Sequence, residues 1–279
     1  MGAKKYEMST KSPPIACTIA GTDSGGNAGL AADLATFVAH RVHGVFAVSV
    51  VTAQNTTGIQ QVMALDGAMV EAQIDAVAAD FAVGATKTGL LFSVPAIEAV
   101  AERAGGLGVL VVDPVLVTSN GVPMLAENVP QAYIDLLFPL ADVITPNVAE
   151  AALLTGLTIN DETDAERAAQ MLRSMGPDVV VITGLLLNGD SIDTVVDSNG
   201  TRWNRHQQVL TDNVLGTGCT LSAAATALLA SGWSVEDSLD AARGYVHSGL
   251  QSGSTWELGA GRGPIDHFVE TVAFKDRRV

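Results

Sequence analysis

Two glycines, two hydroxyl residues and a cysteine precede a run of small residues late in the chain. The segment Gly216–Thr220 reads Gly-Thr-Gly-Cys-Thr, and the pattern from Ser222 to Ala230 predicts a helix. The first N–H groups of a helix lack intrahelical partners and carry partial positive charge, and glycine lets a ligand approach them closely. The segment therefore predicts a phosphate cradle lined by Gly216, Thr217 and Gly218, with a plain Gly-rich helix cap as the alternative.

Cys219 lies inside this predicted cradle. A thiol at a helix N-terminus is expected to have a lowered pKa, because the helix end favours the thiolate. Cys219 is therefore a candidate base for a substrate hydroxyl. Cys17 lies in a strand-like apolar run instead and is predicted to be a core residue.

Other polar groups follow strand-like runs, which is where parallel sheets bind ligands. Asp23 begins an Asp-Ser-Gly-Gly segment that is either a ligand site or a simple capped turn. Gln54 can donate and accept hydrogen bonds at once, so it either reads an aminopyrimidine edge or is a polar residue at the sheet edge. Lys87 follows a later run and faces either a phosphate or a core carboxylate. The clusters are Gly21–Asn27, Thr52–Thr56, Lys87–Gly89, Asp113–Val115 and Thr145–Asn147.

Asn147 and Glu150 are spaced as a helix cap and its first-turn acid. The functional alternative is a hydrated Mg²⁺, which keeps several waters and needs only one or two carboxylates besides substrate phosphates. No Gly-Lys-Ser/Thr follows the Asp23 segment, and no G-x-G-x-x-G with a later acid follows a strand, so Walker and dinucleotide-binding loops are not expected.

The composition limits the possible partners. Of 279 residues, 48% are hydrophobic and 16% charged, and the net charge of −15 argues against a nucleic-acid partner or an anionic membrane surface. Two cysteines are too few for a disulfide framework, which favours the reducing cytoplasm. No apolar run reaches about 18 residues, and the five histidines show no metal-ligand spacing. We expect a mobile tail at residues 1–12 and a single domain at residues 13–279.

Short strand-like runs alternate with longer helical patterns, which predicts an α/β fold with a mostly parallel central sheet and helices on both faces. An Asn-Gly turn within Asp197–Gly200 predicts a hairpin between the last two strands. The predicted strands are Ile15–Ala20, Gly44–Val51, Ala85–Thr88, Val109–Val112, Val143–Thr145, Val179–Ile182, Ile192–Val196 and Thr201–Gln207. The predicted helices are Ala28–Arg41, Gly67–Ala78, Val94–Arg103, Val129–Phe138, Val148–Leu154, Asp164–Ser174, Gly218–Ser231 and Val235–Ser252.

Taken together and in order, these motifs resemble the hydroxymethylpyrimidine/phosphomethylpyrimidine kinases of thiamine biosynthesis, which have the ribokinase-like fold. The resemblance extends over about residues 14–268, and the ordered set is far more specific than any single motif. Its motifs are Gly21–Gly29, Thr52–Thr56, Lys87–Leu91, Asp113–Val115, Thr145–Glu150, Gly216–Ala224 and Gly261–Phe268.

The resemblance implies ATP-dependent phosphorylation of 4-amino-5-hydroxymethyl-2-methylpyrimidine and of its monophosphate. It also implies a role for each motif. The pyrimidine pocket would take Gly21, Asp23, Gln54 and Val115; the ATP site Asn147, Lys87 and Thr183; the Mg²⁺ site Glu150 and Asp113; and the anion hole Gly216, Thr217, Gly218 and Cys219. Ribokinase-like sugar kinases carry a catalytic Asp where this chain has Cys219, so the thiol would act as a base or orient the substrate hydroxyl.

The sequence departs from the family pattern at four places. Where the family usually has Lys-Gly-Gly-His, this chain reads Thr183-Gly184-Leu185-Leu186, so a lysine expected at the ATP phosphates is absent. Val214-Leu215 replace a Thr-His pair before the cradle, Thr118–Gly121 replaces Ala-Lys-Ser-Gly, and Ala31 replaces a glutamine.

Two alternatives to the pyrimidine kinase remain open at this point. One is a pyridoxal kinase of the same fold, because some of those enzymes have threonine at the position of Thr183. The other is a non-catalytic protein that binds the pyrimidine as a sensor. Small-molecule substrates and a homodimer are expected in each case.

Overall fold

The computed structural model describes residues 12–117, 125 and 128–271. Residues 1–11 of the predicted tail and the Thr118–Gly121 replacement lie outside the described residues. Within the described ranges, nine strands form one sheet in the order β3-β2-β1-β4-β5-β6-β7-β8-β9. They are β1 (Ile15–Gly21), β2 (His43–Asn55), β3 (Gly58–Ala64), β4 (Ala85–Thr88), β5 (Val109–Val112), β6 (Val143–Ile144), β7 (Val179–Leu187), β8 (Asp190–Asp197) and β9 (Gly200–Gln207).

Strands β2, β1, β4, β5, β6 and β7 pair in parallel in that order, whereas β3, β8 and β9 run antiparallel to their neighbours. The mostly parallel sheet is therefore confirmed. The central strands are apolar on both sides, as parallel strands covered by helices must be. In β5, Leu110 and Val112 belong to one buried cluster, and Val111 between them belongs to another.

Helices cover both faces of the sheet, as predicted. The helices α1, α7 and α8 pack on the face of Val111, and α2 to α6 pack on the face of Leu110 and Val112. Of the helices described, none combines the length and the apolar character that crossing a bilayer requires. The helices are α1 (Gly29–Ala39), α2 (Gly67–Asp80), α3 (Val94–Arg103), α4 (Asn128–Ala132), α5 (Val148–Thr155), α6 (Glu162–Arg173), α7 (Thr217–Ala230) and α8 (Val235–Gly253).

The predicted helix Val129–Phe138 is not continuous. After α4 the backbone passes through a π-helical turn at Tyr133–Leu137 and a 3₁₀ turn at Phe138–Leu140. Pro139 cannot donate a helical hydrogen bond, which fits an end to the regular helix here.

The second strand is longer than predicted. β2 continues from the predicted Gly44–Val51 to Asn55 and pairs with β3, which the sequence analysis missed. Most of the Thr52–Thr56 cluster therefore lies within a strand rather than after one. All seven residues of β3 are exposed, so it lacks the apolar-polar alternation of a half-buried strand.

The seventh strand also continues beyond its predicted end at Ile182. The pairing of β7 with β8 shifts register between Ile182 and Leu185, and the two strands join through Asn188-Gly189, both with positive φ. This Asn-Gly hairpin was missed, whereas the predicted hairpin at Asp197–Gly200 is confirmed. Thr183 and Gly184 lie at this register shift, so the ladder is irregular at these two residues.

Candidate active site

The predicted cradle is the first turn of α7, which begins at Thr217. Gly216 has a φ of +80°, and a Cβ there would lie 2.1 Å from the Asn27 carbonyl oxygen, so only glycine fits. A Cβ at Gly218 would meet open space. Across the described residues, the amides of Gly218 and Cys219 donate to no acceptor. The turn therefore offers two free N–H groups beside an open approach, as an anion site requires.

Asp23 organises the loop that leads from β1 to α1. Its carboxylate accepts hydrogen bonds from the amides of Gly25 (2.8 Å), Asn27 (3.0 Å) and Ala28 (3.0 Å). The capped-turn interpretation is therefore correct at the level of contacts, and a role in substrate binding stays a prediction. Because Asn27 underlies Gly216, this loop connects directly to the cradle.

Gln54 lies beside the same loop, near the end of β2. The Ser24 hydroxyl donates to the Gln54 carbonyl (2.7 Å) and accepts from the Gln54 amide (2.8 Å). The half-buried side chain is 3.4 Å from the Thr52 hydroxyl through its Oε1. The structure therefore brings Gln54 and the Asp23 loop together, although they are about 30 residues apart in sequence.

The other two candidate pyrimidine contacts are at the ends of β1 and β5, which lie on either side of β4. Gly21 is buried at the end of β1, where a Cβ would lie 2.6 Å from Val50 Cγ1. Val115 is half-buried in the loop after β5, and its amide donates to the Asp113 carbonyl (2.9 Å). Their roles towards a substrate stay predictions.

Lys87 faces a core carboxylate, the second of its two predicted partners. Its Nζ lies 2.7 Å from Asp33 Oδ1 and 3.9 Å from Asp113 Oδ2, and both Lys87 and Asp33 are fully enclosed. Thr18 donates a further hydrogen bond of 2.6 Å to Asp33 Oδ2. Lys87 reaches the cradle only from below, 3.5 Å from the Cys219 carbonyl oxygen. The positive charge of Lys87 is therefore balanced by buried carboxylates.

The prediction of a lowered pKa for Cys219 is wrong. Burial raises the pKa of the Cys219 thiol to about 12; Lys87 lowers it, while Asp33 and Asp113 raise it further. The Gly29 amide donates a hydrogen bond to the sulfur, but this also fails to offset the desolvation. Cys219 is therefore a neutral thiol at pH 7, because desolvation outweighs the effect of Lys87, which two carboxylates also oppose.

Glu150 forms a capping box with Asn147. The Asn147 side chain accepts from the Glu150 amide (3.0 Å), and Glu150 Oε2 accepts from the Asn147 amide (3.0 Å). Oε1 accepts from the Leu116 amide (3.3 Å), and the side chain is buried rather than on the surface. Burial raises the pKa of Glu150 to about 8, and the negative charge of Asp113 adds to the rise.

Asp113 and Glu150 form a buried carboxylate pair behind the cradle. Asp113 Oδ2 accepts a hydrogen bond of 2.9 Å from Ser222 on α7, and burial raises the pKa of Asp113 as well. A divalent cation would stabilise the ionised forms of two neighbouring carboxylates whose pKa values are raised. In the part of the chain that the structure describes, no three His, Cys, Asp or Glu side chains are arranged to hold a metal. A pair of carboxylates still fits Mg²⁺, which retains waters and takes phosphate oxygens.

A cavity of about 330 Å³ opens beside the cradle. Its walls come from the start of α5, the irregular part of β7, the first turn of α7 and the inner face of α8. Thr183 and Asn147 lie together there, because the Thr183 amide donates to the Pro146 carbonyl (2.9 Å). Lining residues include Asn147, Thr183, Gly218, Arg243 and Leu250.

Sequence reasoning missed two charged residues of this region. Asp33 is the sole acid in the apolar helix α1, and such a lone carboxylate on a buried face is itself a signal of an enclosed partner. Arg243 lies in the middle of α8 and lines the cavity, and nothing in its local sequence marks it. His267 connects to the same helix, since its Nε2 lies 2.8 Å from the Thr220 hydroxyl.

Comparison with known proteins assigns the family. A model of the phosphomethylpyrimidine kinase family matches residues 23–266. The chain belongs to this family. Among curated relatives, the hydroxymethylpyrimidine/phosphomethylpyrimidine kinase of Streptomyces coelicolor is 41% identical over 256 residues, which cover 91% of this chain and 94% of the relative. The chain is therefore a phosphotransferase, as expected from the resemblance.

Solved structures support the same fold. The phosphomethylpyrimidine kinase of Clostridium difficile is 33% identical, with a TM-score of 0.75, covering 85% of this chain and 99% of that one. The pyridoxal kinase of Bacillus subtilis, solved with ADP, is 34% identical, with a TM-score of 0.85, covering 92% and 98%. The predicted ribokinase-like fold is confirmed.

Proposed function

We propose that the chain uses ATP to phosphorylate 4-amino-5-hydroxymethyl-2-methylpyrimidine, its monophosphate, or both, in thiamine biosynthesis. The observation that carries the proposal is the first turn of α7, where the amides of Gly218 and Cys219 are free and Thr217 and Gly218 line the 330 Å³ cavity. Relatives named for this activity cover most of the chain. Their kinase names disfavour the non-catalytic sensor.

The two sides of the cradle divide the work. The Asp23 loop and Gln54 lie together on one side. The side-chain amide of Gln54 supplies the donor and the acceptor that a 4-aminopyrimidine edge needs. The cavity with Asn147 and Thr183 lies on the other side and takes the nucleotide. The amides of Gly218 and Cys219 stabilise the negative charge of the transferred phosphoryl group, in a reaction where positioning and electrostatics supply most of the rate.

Cys219 orients the substrate hydroxyl in this scheme. A resident thiolate base is disfavoured, because the pKa of the thiol is raised to about 12 and the neutral form dominates at pH 7. A neutral thiol can still form a hydrogen bond to the hydroxyl and hold it in line with the phosphate. The catalytic contribution of the side chain is therefore one of alignment.

Asp113 and Glu150 would hold Mg²⁺, which when bound neutralises charge on the nucleotide phosphates. Glu150→Gln keeps the size of the side chain and an oxygen for the amide of Asn147, but removes the negative charge that Glu150 would carry beside a bound Mg²⁺. We expect the Mg²⁺ concentration for half-maximal rate to rise about tenfold or more while the fold survives. Glu98→Gln, at an exposed position of α3, is the control. An unchanged Mg²⁺ requirement in Glu150→Gln would remove this residue from the metal site.

The substrate is tested by measuring ADP release with ATP and Mg²⁺ in the presence of each of three acceptors. These are the hydroxymethylpyrimidine, its monophosphate and pyridoxal. Turnover with either pyrimidine supports the proposal, and turnover with both indicates two successive phosphorylations. Activity with pyridoxal alone would contradict it.

Pyridoxal is the second candidate substrate. One specific observation favours it: the pyridoxal kinase of Bacillus subtilis has a TM-score of 0.85 to this chain. Pyridoxal also carries a hydroxymethyl group on a six-membered nitrogen heterocycle, so the same cradle suits both acceptors. The two differ at the ring edge that Gln54 would contact, which makes this residue the discriminating one.

A homodimer and a cytoplasmic location complete the proposal. The edge strand β3 exposes Ile59, Val62 and Met63, and an exposed apolar edge favours association with a second copy. Light scattering should give twice the mass of the chain. The free cysteines Cys17 and Cys219 suit a reducing compartment, which fractionation of the source cells would test.

A further inference from the structure

Arg243 brings a positive charge to the wall of the cavity. It lies on the inner face of α8, is only 6% exposed, and lines the same 330 Å³ space as Gly218 and Thr183. A buried guanidinium at a cavity wall is uncommon, because desolvation of the charge is costly unless the charge has partners.

The partners of Arg243 hold one side of the guanidinium. Nη2 lies 2.5 Å from the Ser191 hydroxyl, and Nε lies 3.2 Å from Asp193 Oδ2 without the alignment of a hydrogen bond. Asp193 is fixed in turn, since its Oδ1 accepts from the Gly184 amide (3.0 Å). Among the described residues, no acceptor engages Nη1. The guanidinium is thus held in place, and its Nη1 group can still donate to a ligand.

No other cation is as well placed for this cavity among the residues described. Lys87 is enclosed beneath the cradle and bonded to Asp33. Thr183 is neutral, and the chain as a whole carries a charge of −15. An anionic ligand here needs local positive charge beyond the two amides of the cradle, and Nη1 of Arg243 can donate a charge-assisted hydrogen bond to a phosphate oxygen.

We propose that Arg243 binds a phosphate group of the nucleotide, with Asp193 and Ser191 as positioning residues. The proposal rests on ATP as the phosphoryl donor in the function proposed above. Asp193 does not cancel the guanidinium, because it engages the Nε edge and leaves the outer nitrogen for the ligand. The carboxylate also orients the fork before the ligand arrives, which lowers the entropy cost of binding.

The test compares ADP with adenosine by calorimetry, with Mg²⁺ present throughout. Arg243→Met should weaken ADP binding on the order of ten- to a hundredfold, as for the loss of a charged hydrogen bond, and leave adenosine binding unchanged. Arg243→Lys should recover part of the loss. Arg205→Met, on an exposed residue of β9 paired with Glu162, should match the native chain for both ligands.

A second variant separates binding from folding. Arg243→Met leaves Asp193 without its partner, which can disturb the cavity. The double variant Arg243→Met/Asp193→Asn removes that isolated charge. If the double variant regains thermal stability but still binds ADP more weakly than the native chain, with adenosine binding unchanged, the proposal holds.

Recovery of ADP binding in the double variant would overturn the proposal, as would an equal loss of ADP and adenosine binding in Arg243→Met. Native protein that binds neither ADP nor ATP would contradict the proposed function itself. Native binding of ADP that is unaffected by Arg243→Met would contradict only the role of Arg243.

Discussion

Two buried ion pairs lie near the first turn of α7, and they differ in what surrounds the cation. The Asp33–Lys87 pair is fully enclosed, and all contacts of the Lys87 ammonium group lie within the core. The Asp193–Arg243 pair borders a cavity and holds the guanidinium by one edge. An enclosed cation such as Lys87 can act on the cradle only through the core, whereas a cation at a cavity wall such as Arg243 can contact a ligand directly.

The largest expected effect is on the enclosed pair. Lys87→Met leaves Asp33 buried without a counter-charge, so we expect the free energy of unfolding to fall by about 3–5 kcal/mol in urea denaturation. The exposed pair Arg167–Asp164 provides the control, since Arg167→Met should cost at most about 1 kcal/mol. A loss of less than about 1 kcal/mol in Lys87→Met would show that the pair is not a structural support.

The next effect concerns the Cys219 thiol in the first turn of α7. We expect Cys219→Ala to lower kcat about tenfold to a hundredfold, because alignment of the hydroxyl is lost while the backbone amides remain. The KM values should change little. Loss of a general base would instead lower kcat by about 10² to 10⁴.

The pH dependence separates these two roles of Cys219. With a thiol pKa of about 12, the thiolate fraction rises about tenfold per pH unit between pH 6 and 9. If the thiolate were the obligatory base, kcat would rise in proportion over that range. We expect the native enzyme and Cys219→Ala to have parallel profiles, so a tenfold rise per pH unit in the native enzyme alone would contradict the alignment role.

The smallest effect is expected at the substrate side of the cradle. Gln54→Leu should weaken pyrimidine binding by about 1–3 kcal/mol, because one edge of the ring would lose its partner. The KM for ATP should stay the same, since Gln54 contacts the Asp23 loop and not the cavity. If the KM for ATP rises and that for the pyrimidine does not, the two sides of the cradle are assigned in reverse.

The difference between the two regions also explains what could be predicted from the sequence. On the Lys87 side, the polar groups lie in or just after strand-like runs, so local patterns predict the parallel sheet and the residues at its edge. On the Arg243 side, the cavity depends on the continuation of β7 past Ile182 and on a hairpin at Asn188-Gly189. These contacts are set by pairing with β8, so apolar periodicity does not reveal them.

The raised pKa of Cys219 could not be predicted for a related reason. A helix start favours a thiolate when only the sequence is considered. The outcome depends first on burial of the thiol, and then on Asp33 and Asp113, whose charges oppose that of Lys87. Side-chain partners across several elements therefore decide the electrostatics, whereas the position of the cradle follows from its own residues.

The decisive measurement is a crystal structure with Mg²⁺, a non-hydrolysable ATP analogue and the hydroxymethylpyrimidine. We expect phosphate oxygens to lie about 2.7–3.1 Å from the amides of Gly218 and Cys219, the distance of oxyanion donors. We also expect Arg243 to contact a phosphate and the pyrimidine to contact Gln54. Phosphates bound away from the first turn of α7, or a pyrimidine in the cavity of Thr183, would contradict this arrangement.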